Sequence, residues 1–127
     1  MITAELAREL KVAQLPWRPR RGDVVVDRLN IPYLVLRDGT DDAGGVEIDT
    51  GEGVDRRPFL GLTWLPRLDQ LLDYLGRRGA VHVARDGGAW RITMDDQQFT
   101  ATDSGEAAGK ALHFLLAEAG WRPGKAL

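Results

Sequence analysis

WLPRLDQLLDYLGRRG, residues Trp64 to Gly79, carries the clearest structural pattern in this chain. Leucines at positions 68, 71, 72 and 75 recur with the spacing of one helix face, and polar side chains, Gln70 among them, fill the other face. Pro66 suits the first helical position, and Gly79, or Gly76 if the end frays, suits a left-handed cap. The stretch therefore predicts an amphipathic helix whose leucine face lies in a hydrophobic core.

The chain on either side of this helix predicts one more helix at each end and two groups of strands. Thr3 is placed to cap a first helix that ends near Val12, and Asp103 to cap a last helix that ends near Ala119. Glu106, three residues after Asp103, completes the pattern of a capping box. β-branched and aromatic runs predict strands at 23–28, 32–37, 46–49 and 59–65 before the central helix, and at 80–85, 89–94 and 97–102 after it.

These elements define the fold class. The predicted order is α-β-β-β-β-α-β-β-β-α, an α+β protein with antiparallel sheet or sheets and helices packed on one face. The glycine-rich segments 38–45 and 50–57 read as polar loops too short to separate domains, so residues 1–127 are predicted to form a single domain. The tail 121–127 is predicted to be loosely ordered, with Trp121 as its anchor.

Composition narrows the classes of function. The 127 residues are 43% hydrophobic and 28% charged with a formal charge of −2, which is ordinary for a globular protein and gives no general attraction to nucleic acid or acidic membranes. The absence of cysteine excludes disulfides and thiolate chemistry and fits a reducing compartment. With no signal sequence and no apolar run of about 20 residues, we expect a cytoplasmic protein that spans no membrane.

Two charged clusters suggest possible sites. An arginine cluster at residues 18–28, formed by Arg18, Arg20, Arg21 and Arg28 beside Trp17, is the pattern of a surface that grips phosphates or stacks a base. Arg56 and Arg57 are candidates to extend it. The alternative is that Trp17 packs into the core while the arginines reach solvent.

The acidic loops are the second cluster. Carboxylates at Asp38, Asp41 and Asp42, with Asp49, Glu52 and Asp55 in the next loop, are the ligand type that calcium or magnesium prefers. Their spacing is not that of a calcium-binding loop, and acidic residues beside glycine are equally typical of solvated turns. A divalent-metal activity here is therefore an alternative, and we expect no cofactor.

The residues that most often carry catalysis are scarce. His82 and His113 are the only histidines, and Ser104, in a helix-capping segment, is the only serine. Nothing in their spacing predicts a nucleophile with its base, so we expect a non-enzymatic protein. Four tryptophans in so short a chain are typical of a core or of a protein interface, and an exposed Trp17 or Trp121 would mark a partner site.

Two stretches resemble known groups of proteins. FLGLTWLPRLDQLLDYL, through Trp64, Leu65, Pro66, Leu68, Asp69, Gln70 and Leu71, resembles small uncharacterised proteins encoded by phages and prophages, for which no activity is established. RDGGAWRITMDD followed by TATDSGEAAGKAL, within residues 80–119, is similar to HicB-like antitoxins, although the Pro-Asp-Leu-Pro-Gly segment of that family is missing.

Together these features predict a small binding protein of phage or bacterial origin that acts through a protein–protein surface. The expected partner is another protein or a second copy of the chain. Nucleic acid bound through residues 18–28 is the first alternative, and a metal-dependent activity at the acidic loops is the second. The candidate interaction surface comprises Trp17, Arg18, Arg20, Arg21, Arg28 and Trp121.

Overall fold

The computed structural model describes residues 1–127 and contains three α-helices and eight strands. The helices are α1 (Ala4–Val12), α2 (Leu68–Arg78) and α3 (Ser104–His113). The strands are β1 (Val24–Val26), β2 (Pro32–Val35), β3 (Gly45–Asp49), β4 (Val54–Pro58), β5 (Thr63–Leu65), β6 (His82–Asp86), β7 (Ala89–Met94) and β8 (Gln97–Ala101). The α+β class, the antiparallel sheets and the order of helices and strand groups are confirmed. None of the helices combines the length and apolar character that crossing a membrane requires.

Contacts divide the chain into two compact units. Residues 17–65 form one, called here the strand unit, and residues 1–16 with 66–127 form the other, called the helical unit. Each is described by itself below. The single-domain organisation stays a prediction.

The strand unit is a five-stranded antiparallel sheet in the order β4-β3-β2-β1-β5. Val25, Val46 and Ile48 are completely buried, and Val35 and Leu62 nearly so. Val46 and Ile48 are two residues apart on β3, as expected for one face of a pleated strand. This face, with partly buried aromatics against it, is the core of the unit.

Two local predictions for the strand unit were wrong. Residues 50–57 were expected to be a loop, yet Thr50 and Gly53 close a tight turn, the Thr50 N–H lying 3.0 Å from the Gly53 carbonyl oxygen, and Val54–Pro58 then pairs with β3. Residues 59–65 were expected to be one strand, yet Phe59–Gly61 forms a 3₁₀ turn and only Thr63–Leu65 is extended. Pairing with a neighbouring strand therefore overrode the polar sequence of β4.

In the helical unit, Leu71, Tyr74 and Leu75 of α2 are completely buried. The leucine spacing predicts the burial of Leu71 and Leu75, but not that of Tyr74. Gln70, expected on the wet face, is buried instead, because its side-chain oxygen accepts the Arg67 backbone N–H at 2.9 Å and so caps the helix. The helix consequently begins at Leu68, two residues after Pro66.

The predicted left-handed cap of α2 was wrong as well. Gly79 has φ 167°, which is extended backbone open to any residue, and Gly76 lies inside the helix. The left-handed region is occupied instead after α3, where Gly120 has φ +68°. Between α3 and Gly120 the residues Phe114–Glu118 form a π-helical turn.

The starts of α1 and α3 are joined by side-chain hydrogen bonds. Thr3 and Asp103 cap their helices as predicted, accepting from the N–H groups of Leu6 and Glu106. Glu106 does not reach back to Asp103, as a capping box would require; its carboxylate accepts from the Thr3 N–H at 2.8 Å and the Thr3 hydroxyl at 3.2 Å. The acid therefore ties two helices together instead of closing one.

Close packing of α1 on α3 depends on a glycine. A Cβ on Gly109 would lie 2.8 Å from Cδ2 of Leu6, which is closer than real side chains approach. The helix α3 also packs on β7 and β8, and its alanines at 107, 108 and 111 are fully buried. Small residues allow such close packing.

The three-stranded sheet of the helical unit has the order β6-β7-β8. Ile92 and Met94 on β7 are buried, as their alternation predicts, and Trp90 is half-buried. Val83 on β6 is paired with Ile92 but keeps 43% of its surface exposed. The helix covers the middle of this sheet better than its β6 edge.

The tail after α3 is more firmly held than predicted. The Arg77 guanidinium donates to the carbonyl oxygens of Pro123, at 3.0 Å, and Lys125. The hydroxyl of the buried Tyr74 accepts the Leu127 N–H at 3.2 Å and donates to the Pro16 carbonyl. Hydrogen bonds from α2 therefore order this segment, and sequence alone could not show them because the partners are more than 40 residues apart.

Candidate functional site

Three aromatic rings stack in the strand unit around Trp17. The Trp17 ring lies 5.1 Å from Phe59 at an interplanar angle of 19°, and 5.9 Å from Trp64 at 8°. Trp64 is buried, whereas Trp17 and Phe59 are partly exposed. The stack thus runs from the core of the unit to its surface.

A buried carboxylate fixes the orientation of Trp17. Asp23 is only 2% exposed, and its Oδ2 accepts from the Trp17 indole N–H at 3.1 Å and from the Arg20 backbone N–H at 3.0 Å. A carboxylate is tolerated at this depth because it receives hydrogen bonds in place of water. The ring is therefore held rigidly before any partner arrives.

Beside the stack lies an open groove of about 650 Å³, called here the aromatic groove. Trp17, Phe59 and Leu60 form its apolar side, and Arg18 and Asp38 lie at its polar side. Leu60, in the 3₁₀ turn after β4, is 84% exposed. An apolar surface with charges of both signs beside it can receive an apolar side chain of another protein together with its polar neighbours.

The structure does not gather all the predicted arginines at this groove. Arg18, Arg20 and Arg21 precede β1, and Arg28 lies in the turn after it, so the length of that strand separates Arg28 from the others. The backbone N–H of Arg21 donates to Asp38 at 2.8 Å, which brings an acid beside the cluster. All four arginines are exposed, and Arg18 is the one that lines the groove.

The two arginines proposed to extend the cluster are paired with acids. Arg56 forms an ion pair with Asp41, and the Arg57 Nε lies 2.9 Å from Asp55 Oδ2 while its guanidinium stacks over Tyr33 at 5.3 Å. The hydrogen bond from Arg57 holds the pKa of Asp55 below its ordinary value. These pairs reduce the positive field that a phosphate backbone would meet.

The acidic loops use their carboxylates within their own turns. Asp41 accepts the N–H groups of Ala43 and Gly45, both at 2.9 Å, and Asp49 accepts the Gly51 N–H at 2.8 Å. No group of three or more histidine, aspartate or glutamate side chains is arranged to hold a metal ion. The arrangement is that of side chains stabilising turns, which is the alternative interpretation of these loops.

The two histidines have different surroundings in the helical unit. His82 is exposed on β6, and His113, near the end of α3, is half-buried. His113 lines a groove of about 330 Å³ with four glutamates, namely Glu5, Glu9, Glu106 and Glu118. Both carboxylate oxygens of Glu106 are engaged with Thr3, and no hydroxyl or thiol nucleophile is paired with His113. This groove therefore lacks the nucleophile–base pair of a hydrolytic site.

Trp121 belongs to the helical unit, whereas the aromatic groove is formed by the strand unit. Trp121 is half-buried, and its backbone N–H donates to the Leu115 carbonyl at 2.8 Å in the π-helical turn after α3. Its observed role is to begin the ordered tail. The candidate surface predicted from sequence thus includes residues of both units.

Phe59 and Leu60 are the residues of the groove that sequence reasoning missed. They were assigned to a strand, in which Leu60 would have alternated with its neighbours. Pro58 before them and Gly61 after them were the available signal, because proline and glycine flanking two apolar residues favour a turn. Such a turn directs an apolar side chain outward.

Comparison with known proteins yields no relative: no protein-family model, curated protein or solved structure matches this chain.

Proposed function

We propose that this is a small non-enzymatic binding protein that holds another protein through the aromatic groove. The observation that carries the proposal is the exposure of Leu60, at 84%, beside the rigid stack of Trp17 on Phe59. Burying a leucine side chain contributes about 1.5–3 kcal/mol, and a preoriented aromatic wall loses little entropy on binding. A phage or bacterial cytoplasm is the proposed setting, which the cysteine-free composition supports.

The chemistry of the groove indicates what its partner presents. An apolar side chain of the partner would contact Leu60 and the aromatic wall, and polar groups beside it would meet Arg18 and Asp38. We therefore propose a short protein segment with one or two apolar anchors and flanking polar residues.

Selection from a library of random displayed peptides tests this proposal. The immobilised protein is expected to enrich peptides that share an apolar or aromatic anchor. Leu60→Asp is expected to weaken their binding by roughly 10- to 100-fold, because the burial of one leucine is lost.

Leu29→Asp is the matched control. Leu29 is 79% exposed in the strand unit but does not line the groove, so its substitution is expected to leave binding unchanged. Failure to enrich a common anchor, or equal binding by the two variants, would contradict the proposal.

A further inference from the structure

The outer edge of β6 carries unused backbone hydrogen-bonding groups. A two-residue turn, Gly87-Gly88, joins Asp86 to Ala89, so Asp86, Ala84 and His82 direct their N–H and C=O groups toward β7. Val83 and Arg85, which alternate with them, direct theirs away from the sheet. β6 ends the sheet order β6-β7-β8, and no other segment bonds to these two residues.

The two other exposed edges are protected. On β8, the Lys110 ammonium donates to the Thr100 carbonyl at 3.1 Å. On β4, the Asp55 side chain accepts the outward Arg56 N–H at 2.8 Å, and Pro58 has no N–H. Charges, proline and local hydrogen bonds are the usual means of preventing edge pairing. The outward backbone groups of β6 are blocked by neither proline nor a hydrogen bond, and Arg85 is its one charged outward residue.

We infer that two copies of this chain pair antiparallel through β6. Val83 of one copy then faces Arg85 of the other, and both residues use their outward N–H and C=O groups. All five residues of the strand find a counterpart in this register. The two three-stranded sheets join into one sheet of six strands.

The side chains of β6 are self-complementary in this register. His82 lies opposite Asp86 of the second copy, and by symmetry this pairing occurs at both ends. Asp86 also forms an ion pair with Arg91 of its own chain, so the imidazole N–H joins a carboxylate that already has one cationic partner. Ala84 lies opposite Ala84 of the second copy at the centre, where cross-strand Cβ atoms are about 4.5–5.5 Å apart and small residues fit.

Competing registers are poorer. Placing Arg85 opposite Arg85 sets like charges face to face. Placing Val83 opposite Val83 moves the centre of the pairing by one residue, and Asp86 then no longer lies opposite His82. In the favoured register the aliphatic part of the second copy's Arg85 side chain lies opposite Val83, which is 43% exposed.

Sedimentation equilibrium of Ala84→Asp and Ala84→Lys, separately and mixed, tests both the dimer and its register. The wild type is expected to show a concentration-dependent doubling of mass. Each variant alone is expected to dissociate at least 10-fold more readily, because two like charges oppose at the centre. The mixture is expected to recover the dimer as a pair of unlike chains.

Amide hydrogen exchange provides an independent measurement on the unmodified chain. The Val83 and Arg85 amides are expected to exchange more slowly as concentration rises, while the outward Gln98 amide of β8 keeps a constant rate. Gln98→Pro, at the opposite edge, is the control that should leave the dimer intact. A wild type that stays monomeric at millimolar concentration, or a mixture no more associated than its components, would overturn the inference.

Discussion

The helical unit and the strand unit hold their structures by different means. The helical unit packs leucines and alanines from α2 and α3 into a fully buried core, with few polar groups inside. The strand unit has short strands and no α-helix, and aspartates accept backbone N–H groups throughout its turns. The helical unit depends chiefly on apolar packing, whereas the strand unit also depends on carboxylates that accept backbone hydrogen bonds.

Because the two units are stabilised differently, they leave different groups exposed. In the helical unit, α3 packs over the middle of the three-stranded sheet and leaves the β6 edge uncovered. In the strand unit, by contrast, local hydrogen bonds and Pro58 protect part of the β4 edge, and Leu60 is exposed beside the stacked aromatic rings of the groove. The surface argued for the helical unit is therefore a backbone edge, and the one argued for the strand unit is formed by side chains.

Removing a core leucine from the helical unit should have the largest effect. Leu112→Ala, at a fully buried position of α3, is expected to lower the free energy of unfolding by about 2–5 kcal/mol because a cavity replaces part of the side chain. Urea unfolding with an unchanged slope measures it. Lys110→Ala, exposed on the same helix, is the control, and equal losses in both variants would contradict the packing account.

Removing a buried acceptor from the strand unit should have an intermediate effect. Asp23→Ala leaves the Trp17 indole N–H and the Arg20 N–H without their acceptor and is expected to cost about 1–3 kcal/mol. Asp23→Asn keeps one acceptor oxygen and should cost less. Indole fluorescence during urea unfolding follows the change, and a neutral Asp23→Ala would show that packing alone holds the ring.

Lowering the pH should have the smallest effect on the free energy of unfolding, and this effect should arise in the strand unit. Removal from water raises the pKa of Asp27, but hydrogen bonds from the N–H groups of Ile31 and Leu29 and from the Tyr33 hydroxyl outweigh it, so the pKa lies below 3.8. A depressed pKa stabilises the folded state above the ordinary value and loses that contribution as pH falls through the folded value. The contribution of Asp27 is therefore full at neutral pH and disappears below pH 3.8.

Comparing wild type with Asp27→Asn measures this contribution. The difference between their urea midpoints is expected to shrink as pH falls below 3.8. A difference that stays constant through that range would show that the carboxylate charge is not the stabilising feature.

Prediction from sequence succeeded where the signal was periodic and local. The apolar alternation of β7 and the caps at Thr3 and Asp103 need only a few neighbouring residues, and the structure confirms them. It failed where a distant group decided the outcome. Glu106 accepts hydrogen bonds from Thr3, 103 residues earlier, and β4 is a strand because β3 offers it hydrogen-bonding partners.

The candidate site was predictable only in outline. Trp17 and Arg18 were identified from their residue types and their closeness in sequence, and both line the aromatic groove. Arg28 and Trp121 were grouped with them by residue type, yet one is at the far end of β1 and the other belongs to the helical unit. Leu60 was not predicted as a surface residue, because the residue type alone does not distinguish an exposed leucine from a buried one.

Local sequence patterns were enough to predict the class of the fold and the number of helices, because 3.6-residue and two-residue periodicities act over short distances. Long-range contacts fixed which polar segment became a strand, which strand edge stayed open and which helix start Glu106 joined. Those outcomes depend on hydrogen bonds and packing between residues far apart in the chain, and no local pattern of side chains encodes them.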